Sequence, residues 1–130
     1  MKAKIAFLSV GIMLMAAPLF AHHGTNASYD MDKTITVTGT VTEFVWSNPH
    51  CQLYLDVKDA DGKVVSWGAE TNSPGNLKAA GWTRDIVKPG DKVTVLLHPS
   101  KAGTPVGVIQ TLTLPDGKVL SRGGGGGQAQ

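Results

Sequence analysis

Cysteine is nearly absent from the sequence. Among its 130 residues there is one cysteine, Cys51, so the chain cannot form an internal disulfide bond. At this length a single domain with one modest hydrophobic core is expected. Because Cys51 opens an apolar run, we interpret it as a small buried side chain.

The sequence also lacks the common signatures of hydrolytic and phosphate-binding enzymes. It has no Gly-x-Ser-x-Gly elbow, no glycine-rich phosphate loop and no Cys-x-x-Cys pair. Three acidic residues, Glu43, Asp56 and Glu70, lie on different predicted strands, and no spacing pairs them as general acid and base. We therefore predict that the protein is not an enzyme.

The first 21 residues have the pattern of a secretory signal peptide. Lys2 and Lys4 precede an apolar run over residues 5–15, and Pro18 to Ala21 supply a break and a small residue. A membrane anchor is the alternative, but the apolar run is shorter than the roughly 20 residues that a span requires. We predict cleavage after Ala21, a periplasmic or secreted protein, and no stable membrane span after cleavage.

The mature chain would carry no excess of either charge. Removing Lys2 and Lys4 leaves 10 basic residues against 10 acidic residues. Nucleic acids and anionic membranes are bound through clusters of Lys and Arg that neutralise phosphates. We therefore expect a metal ion, a small ligand or a periplasmic protein as the partner, and no nucleic acid.

The stretch Thr34–His50 predicts a long first strand. Its apolar residues alternate with threonines, which is typical of a strand with one buried face. Gly39 falls on the apolar phase and suggests a bulge or bend. The alternation breaks after Thr42, which predicts a change of sheet or face, and Pro49 ends the strand just before His50.

Further alternating segments predict strands over residues 52–58, 63–70, 92–98 and 106–114, with a short addition at 118–120. Ser73 and Pro74 favour the start of a short helix over residues 76–80, and Gly81 its end. We predict an all-β fold with one short helix, an OB-like five-stranded antiparallel barrel over residues 34–120. An N-terminal arm (22–33) would precede it, and a disordered Gly-rich tail (121–130) would follow. Another small antiparallel barrel or a sandwich is the alternative.

Histidines at the predicted new N-terminus suggest a metal site. Cleavage after Ala21 would give His22 a free amine, which can chelate one ion together with its own ring Nδ1, and His23 follows directly. Nitrogen donors in a flat array suit copper(II), and His50 or His98 could add a third nitrogen. We predict a copper site at His22, His23 and His50, because His98 is interpreted as a loop-edge residue. The alternative is a solvated terminus that binds nothing; oxidative copper chemistry would further need an open coordination position and is less favoured.

Three aromatic residues, Trp46, Tyr54 and Trp67, could form a ligand-binding platform of the kind that OB folds use for sugars or bases. Trp67 shares its strand phase with Val65 and Ala69, which favours core packing instead. The platform is the basis of the alternative function, a non-enzymatic ligand- or protein-binding module without metal.

Several of these segments, taken together, resemble a family of small exported bacterial proteins of unknown function. The matching segments are His22–Gly24, Val41–His50, Gly81–Val95 and the terminal TLPDGKVL, in that order. The resemblance covers nearly all of residues 22–120 and implies export and a compact OB-like β-barrel, but no activity. Gly24 stands where the family usually has Ser, so no role is expected for a hydroxyl group at this position.

Overall fold

The computed structural model describes residues 28–124 of the chain. The predicted signal peptide, both N-terminal histidines and the end of the Gly-rich tail lie outside these residues. Between residues 28 and 124 no helix is long and apolar enough to cross a membrane.

Six strands and a short helix follow one another in the order that the sequence predicts. Their bounds are β1 (Ile35–Val45), β2 (Gln52–Lys58), β3 (Val64–Glu70), α1 (Pro74–Ala79), β4 (Lys92–Pro99), β5 (Val106–Thr113) and β6 (Val119–Ser121).

Five of the strands close into a ring. The sheet order is β3-β2-β1-β4-β5-β6, and an additional pairing of β3 with β5 joins its two sides. The predicted OB-like barrel with one short helix is therefore confirmed. The prediction that it is wholly antiparallel is wrong, because β3 and β5 are parallel. Five strands that alternate in direction around a closed ring cannot all be antiparallel to both neighbours, since five is an odd number.

Strand β1 links the two halves of the barrel. Its first half pairs with β4 over residues 35–40, and its second half pairs with β2 over residues 40–45. The register shifts between Val41 and Glu43, which leaves Thr42 as an extra residue on β1. The break in alternation after Thr42 is therefore the β-bulge, and Gly39 lies in regular pairing opposite Val93.

Gly39 serves a different purpose, which is the close passage of β2 over β1. A Cβ atom at this position would lie 2.5 Å from the backbone oxygen of Asp56 and 2.9 Å from side-chain carbons of Leu55 and Val57. Only a residue without a side chain leaves room for this approach.

The inward-facing side chains of all six strands form the core of the barrel. Cys51, Leu77 of α1 and Trp82 also belong to it. The side chain of Ser73 accepts a hydrogen bond from the amide of Asn76 and caps α1. The indole of Trp82 donates to the carbonyl of Ser121, 2.7 Å away, which attaches the end of α1 to β6.

The predicted tail begins later than residue 121. Ser121 belongs to β6, and the amide of Arg122 donates to the carbonyl of Gln110. The side-chain amide of Asn72 donates to the carbonyl of Gly123 at 2.9 Å. These residues are therefore part of the packed domain.

Two glycine substitutions should have opposite effects on stability. Gly39→Ala should lower the free energy of unfolding by about 1–3 kcal/mol, because the added methyl group overlaps the backbone of β2. Gly75→Ala, in α1, is the matched control: no atom lies within 4 Å of the added Cβ, and alanine is the better helix former. Urea unfolding of both variants measures the difference, and an unchanged midpoint for Gly39→Ala would contradict the close approach.

Candidate functional site

Three segments that are distant in sequence meet on the outer surface at the end of β3. Glu70 is the last residue of β3, His50 directly precedes Cys51 and β2, and Tyr29 lies on the N-terminal arm. Nδ1 of His50 lies 2.5 Å from Oε1 of Glu70. The hydroxyl of Tyr29 donates to the other carboxylate oxygen, Oε2, at 3.2 Å. We call these three residues the Glu70 cluster.

The strand register explains why His50 and Glu70 meet. Gln52 of β2 pairs with Glu70 of β3. His50, two residues before Gln52, is therefore a diagonal neighbour of Glu70 across the paired segments. Successive side chains of a strand point to opposite faces. Because Cys51 and Ala69 are fully buried in the core, the residues beside them, His50 and Glu70, face outward.

The N-terminal arm reaches this surface by pairing with the end of β4. Tyr29 forms an isolated antiparallel bridge with Ser100, and the amide of Asp30 donates to the carbonyl of Pro99 at 2.9 Å. Nδ1 of His98 lies 2.8 Å from the carbonyl oxygen of Lys33. A carbonyl can only accept, so this Nδ1 carries the proton. His98 therefore attaches the arm to the barrel, a role that its interpretation as a loop-edge residue did not include.

The ring of His50 has one nitrogen occupied and one available. Its Nδ1 faces a carboxylate oxygen, which accepts from the Nδ1 proton, so in the neutral ring Nε2 keeps its lone pair. The His50 side chain is 45% exposed, against 20% for Glu70. Within residues 28–124, the His50 ring is contacted at Nδ1 by Glu70, and no hydrogen bond engages Nε2.

Cys51 takes no part in this surface. Its residue exposure is 0%, and its Sγ lies 3.8 Å from the carbonyl oxygen of Ser47. Burial raises the pKa of the Cys51 thiol, an effect that the Ser47 hydrogen bond partly offsets. The thiol therefore stays protonated and inward, on the opposite side of the chain from His50.

The three aromatic residues proposed as a platform do not share one surface. Trp67 lies on the inward phase of β3 and packs against the core, and Trp46 packs against the core and edge-on against Phe44. Tyr54 points outward and is 40% exposed, with its ring about 3.6 Å from the Cβ position of Gly68. Because Tyr54 pairs with Gly68 and its neighbour Leu55 pairs with Trp67, Tyr54 and Trp67 face opposite sides of the sheet.

A cleft of about 450 Å³ lies farther along β1 and β2. Its lining includes the charged side chains of Asp56, Lys58 and Lys92 and the backbone of Gly39. Sequence reasoning did not find this cleft. Lys92 and Thr40 are register partners on β4 and β1, a proximity that the spacing of residues along the chain does not indicate.

The described part of the chain supplies only part of the predicted copper site. Among residues 28–124, no group of three or more His, Cys, Asp or Glu side chains is placed to hold a metal ion. His22 and His23 lie outside these residues. Of the three predicted ligands, the structure therefore places His50 alone.

The sequence matches the model of a family of unknown function, DUF6152, over residues 10–110. The chain belongs to this family. The predicted resemblance to a family of unknown function with an OB-like barrel is thus confirmed, and the family brings no activity with it. Comparison with curated proteins finds no significant match.

Among solved structures, the chain is similar to the mitochondrial single-stranded DNA-binding protein Rim1 of S. cerevisiae. The two are 13% identical with a TM-score of 0.48, over 63% of this chain and 92% of Rim1. The prediction that excluded nucleic acid as a partner is corrected by this finding. At this identity and TM-score the likeness concerns the fold, and DNA binding is a property of Rim1.

The Tyr29 phenol should titrate above its ordinary pKa of about 10. Burial raises the pKa of Tyr29 most, and the nearby charge and hydrogen bond of Glu70 raise it further. Because the folded-state pKa exceeds the unfolded one, this contribution to stability is complete below about pH 10 and is lost as pH rises through the folded value.

Ultraviolet titration of Tyr54→Phe measures this directly, since the chain has only two tyrosines. Adding Glu70→Gln to that variant should lower the Tyr29 pKa, because the carboxylate charge is removed. Titration of Tyr29 at its ordinary pKa in the Tyr54→Phe protein would contradict the burial and pairing of its hydroxyl.

Proposed function

We propose that the protein is an exported, non-catalytic copper(II)-binding module. In this proposal cleavage after Ala21 exposes the amine of His22, and the barrel contributes His50 to a site shared with His22 and His23. The observation that supports it is the shared carboxylate of Glu70: one oxygen holds the ring of His50, and the other holds Tyr29 of the arm.

The length of the segment before Tyr29 allows His22 and His23 to reach His50. Tyr29 comes seven positions after His22, and an extended chain spans at most about 3.3–3.6 Å per residue. The start of the mature chain therefore lies within roughly 20–25 Å of Tyr29, even when fully extended. Because Tyr29 is attached beside Glu70, a turn in this segment would bring the amine of His22 to the exposed ring of His50.

The donor set supports copper(II) over harder ions. A terminal amine and neutral imidazoles are nitrogen ligands, which suit a tetragonal copper(II) site, whereas magnesium and calcium prefer oxygen. His22 would bind through its amine and Nδ1, and His50 through Nε2, the nitrogen that Glu70 leaves free.

A non-enzymatic ligand-binding module without metal is the second candidate. It is favoured by the cleft beside Lys58 and Lys92 and by the exposed ring of Tyr54. Two lysines and one aspartate beside threonines suit a small polar ligand that both accepts and donates hydrogen bonds. This candidate differs from the first in expecting that copper leaves the NMR signals of His50 unchanged.

Export should yield a mature chain that begins at His22. The basic residues Lys2 and Lys4 and the short apolar run that follows predict removal of residues 1–21. Intact mass and N-terminal sequencing of the protein recovered from the periplasm test this. A chain that retains Ala21 would contradict the terminal-amine site, since the peptide bond removes the basic amine.

Copper titration of the mature protein should give one tight site. His50→Ala should weaken binding at least about tenfold, equivalent to about 1.4 kcal/mol, because one nitrogen ligand is lost. One residue added before His22 should weaken it similarly, because the amine moves out of chelate range of the His22 ring. Calorimetry measures both.

The same residue added at the C-terminus is the control and should leave the affinity unchanged. Equal affinities for the N-terminally extended protein and the wild type would show that the terminal amine is not a ligand. Failure of the wild type to bind copper at one ion per chain would contradict the proposed function.

A further inference from the structure

We infer that Glu70 and Tyr29 are positioning residues: Glu70 holds His50 in the Nδ1–H tautomer and so presents Nε2 as the copper ligand, while Tyr29 fixes the carboxylate. The inference deepens the proposed copper site and rests on it for its function. Its structural half concerns the metal-free protein and can be measured without copper.

Glu70 is suited to this task because its backbone is held on both sides. It pairs with Gln52 of β2 on one side and with Val108 of β5 on the other. The pairing with β5 is the one that closes the barrel. The side chain of Glu70 therefore starts from one of the most constrained backbone positions in the barrel.

The carboxylate itself has a partner on each oxygen. Oε1 accepts from Nδ1 of His50, and Oε2 accepts from the hydroxyl of Tyr29 at 3.2 Å. A carboxylate held at both oxygens cannot rotate without breaking one of the bonds. The direction of the Nδ1 bond, and with it the plane of the His50 ring, is thus set by the arm and by β3 together.

His50 needs such support because it precedes the strand. It lies before Gln52, where β2 begins, and nearly half of its side chain is exposed. Among residues 28–124, Glu70 is the acidic side chain that contacts its ring. Without that contact both ring nitrogens would be open to solvent, and either could carry the proton.

A carboxylate behind a histidine ligand is a recurrent feature of metal sites. It fixes the tautomer and the ring orientation and raises the basicity of the ligand nitrogen; its removal typically weakens metal binding about 10–100-fold. In the proposed site the two histidines would bind copper through different ring nitrogens. His22 would use Nδ1 together with its own amine, and His50 would use Nε2, because Glu70 holds its Nδ1.

The first measurement uses the metal-free mature protein labelled with ¹⁵N. Long-range ¹H–¹⁵N spectra report which nitrogen of His50 carries the proton. We expect the Nδ1–H form in the wild type and in Glu43→Gln, an exposed carboxylate on β1 that serves as the control. In Glu70→Ala we expect a mixture of both tautomers. A wild-type tautomer in Glu70→Ala would overturn the inference.

The second measurement is the copper affinity of the same proteins. Glu70→Ala should bind copper about 10–100-fold more weakly than the wild type, and Glu43→Gln should bind equally well. Glu70→Gln should restore part of the affinity, because its amide oxygen still accepts the Nδ1 proton but carries no charge. Tyr29→Phe should lose only a few-fold, because it leaves the His50 contact in place. Both of these variants are nearly isosteric, so they test the inference even if Glu70→Ala does not fold.

The outcomes separate the inference from the proposed function. If His50→Ala weakens copper binding but Glu70→Gln and Tyr29→Phe do not, the inference fails and the copper site remains. If the wild type binds no copper, the proposed function fails and the metal role of Glu70 fails with it. A changed tautomer in Glu70→Ala together with weaker copper binding supports both.

Discussion

The pairing of β3 with β5 is the interaction on which the rest of the structure depends. Backbone pairing of residues 68–70 with residues 106–108 joins the two sides of the sheet and closes the barrel. It also places Glu70 between β2 and β5, on the same surface as the end of β4, to which the arm is attached. The Glu70 cluster therefore exists only in the closed barrel, because its members come from both sides of this closure.

The cluster links a segment that leads to the predicted N-terminus with a fixed position on the barrel. Two side-chain hydrogen bonds attach the arm to the barrel, from Tyr29 to Glu70 and from His98 to the carbonyl of Lys33. A binding site made partly from a chain terminus must limit the freedom of that terminus, because ordering a flexible segment costs free energy on binding. In the proposed copper site, the attached arm would reduce this cost before the ion binds.

The net charge of this chain does not describe its surface. Net charge governs long-range attraction and nonspecific association, but it does not describe how charge is distributed over a surface. Lys58, Lys92 and Asp56, for example, line the same cleft, a grouping that the net charge does not reveal. The net charge of a sequence therefore does not decide which class of ligand the protein binds.

Local sequence patterns determined much of the fold. Alternation located β2 to β6 to within a residue and also the start of β1, but β1 ends at Val45, several residues before the end predicted at Pro49. Ser73, Pro74 and Gly81 located the helix, because these signals depend on neighbours in the chain. They also singled out His50, but not its partners Glu70 and Tyr29, which lie 20 and 21 residues away in opposite directions. Only the tertiary structure decided which residues meet, which nitrogen of His50 is free and which side of the sheet Tyr54 faces relative to Trp67. Those outcomes depend on strand register and on closure of the ring, and both are set by contacts between segments that no local pattern relates.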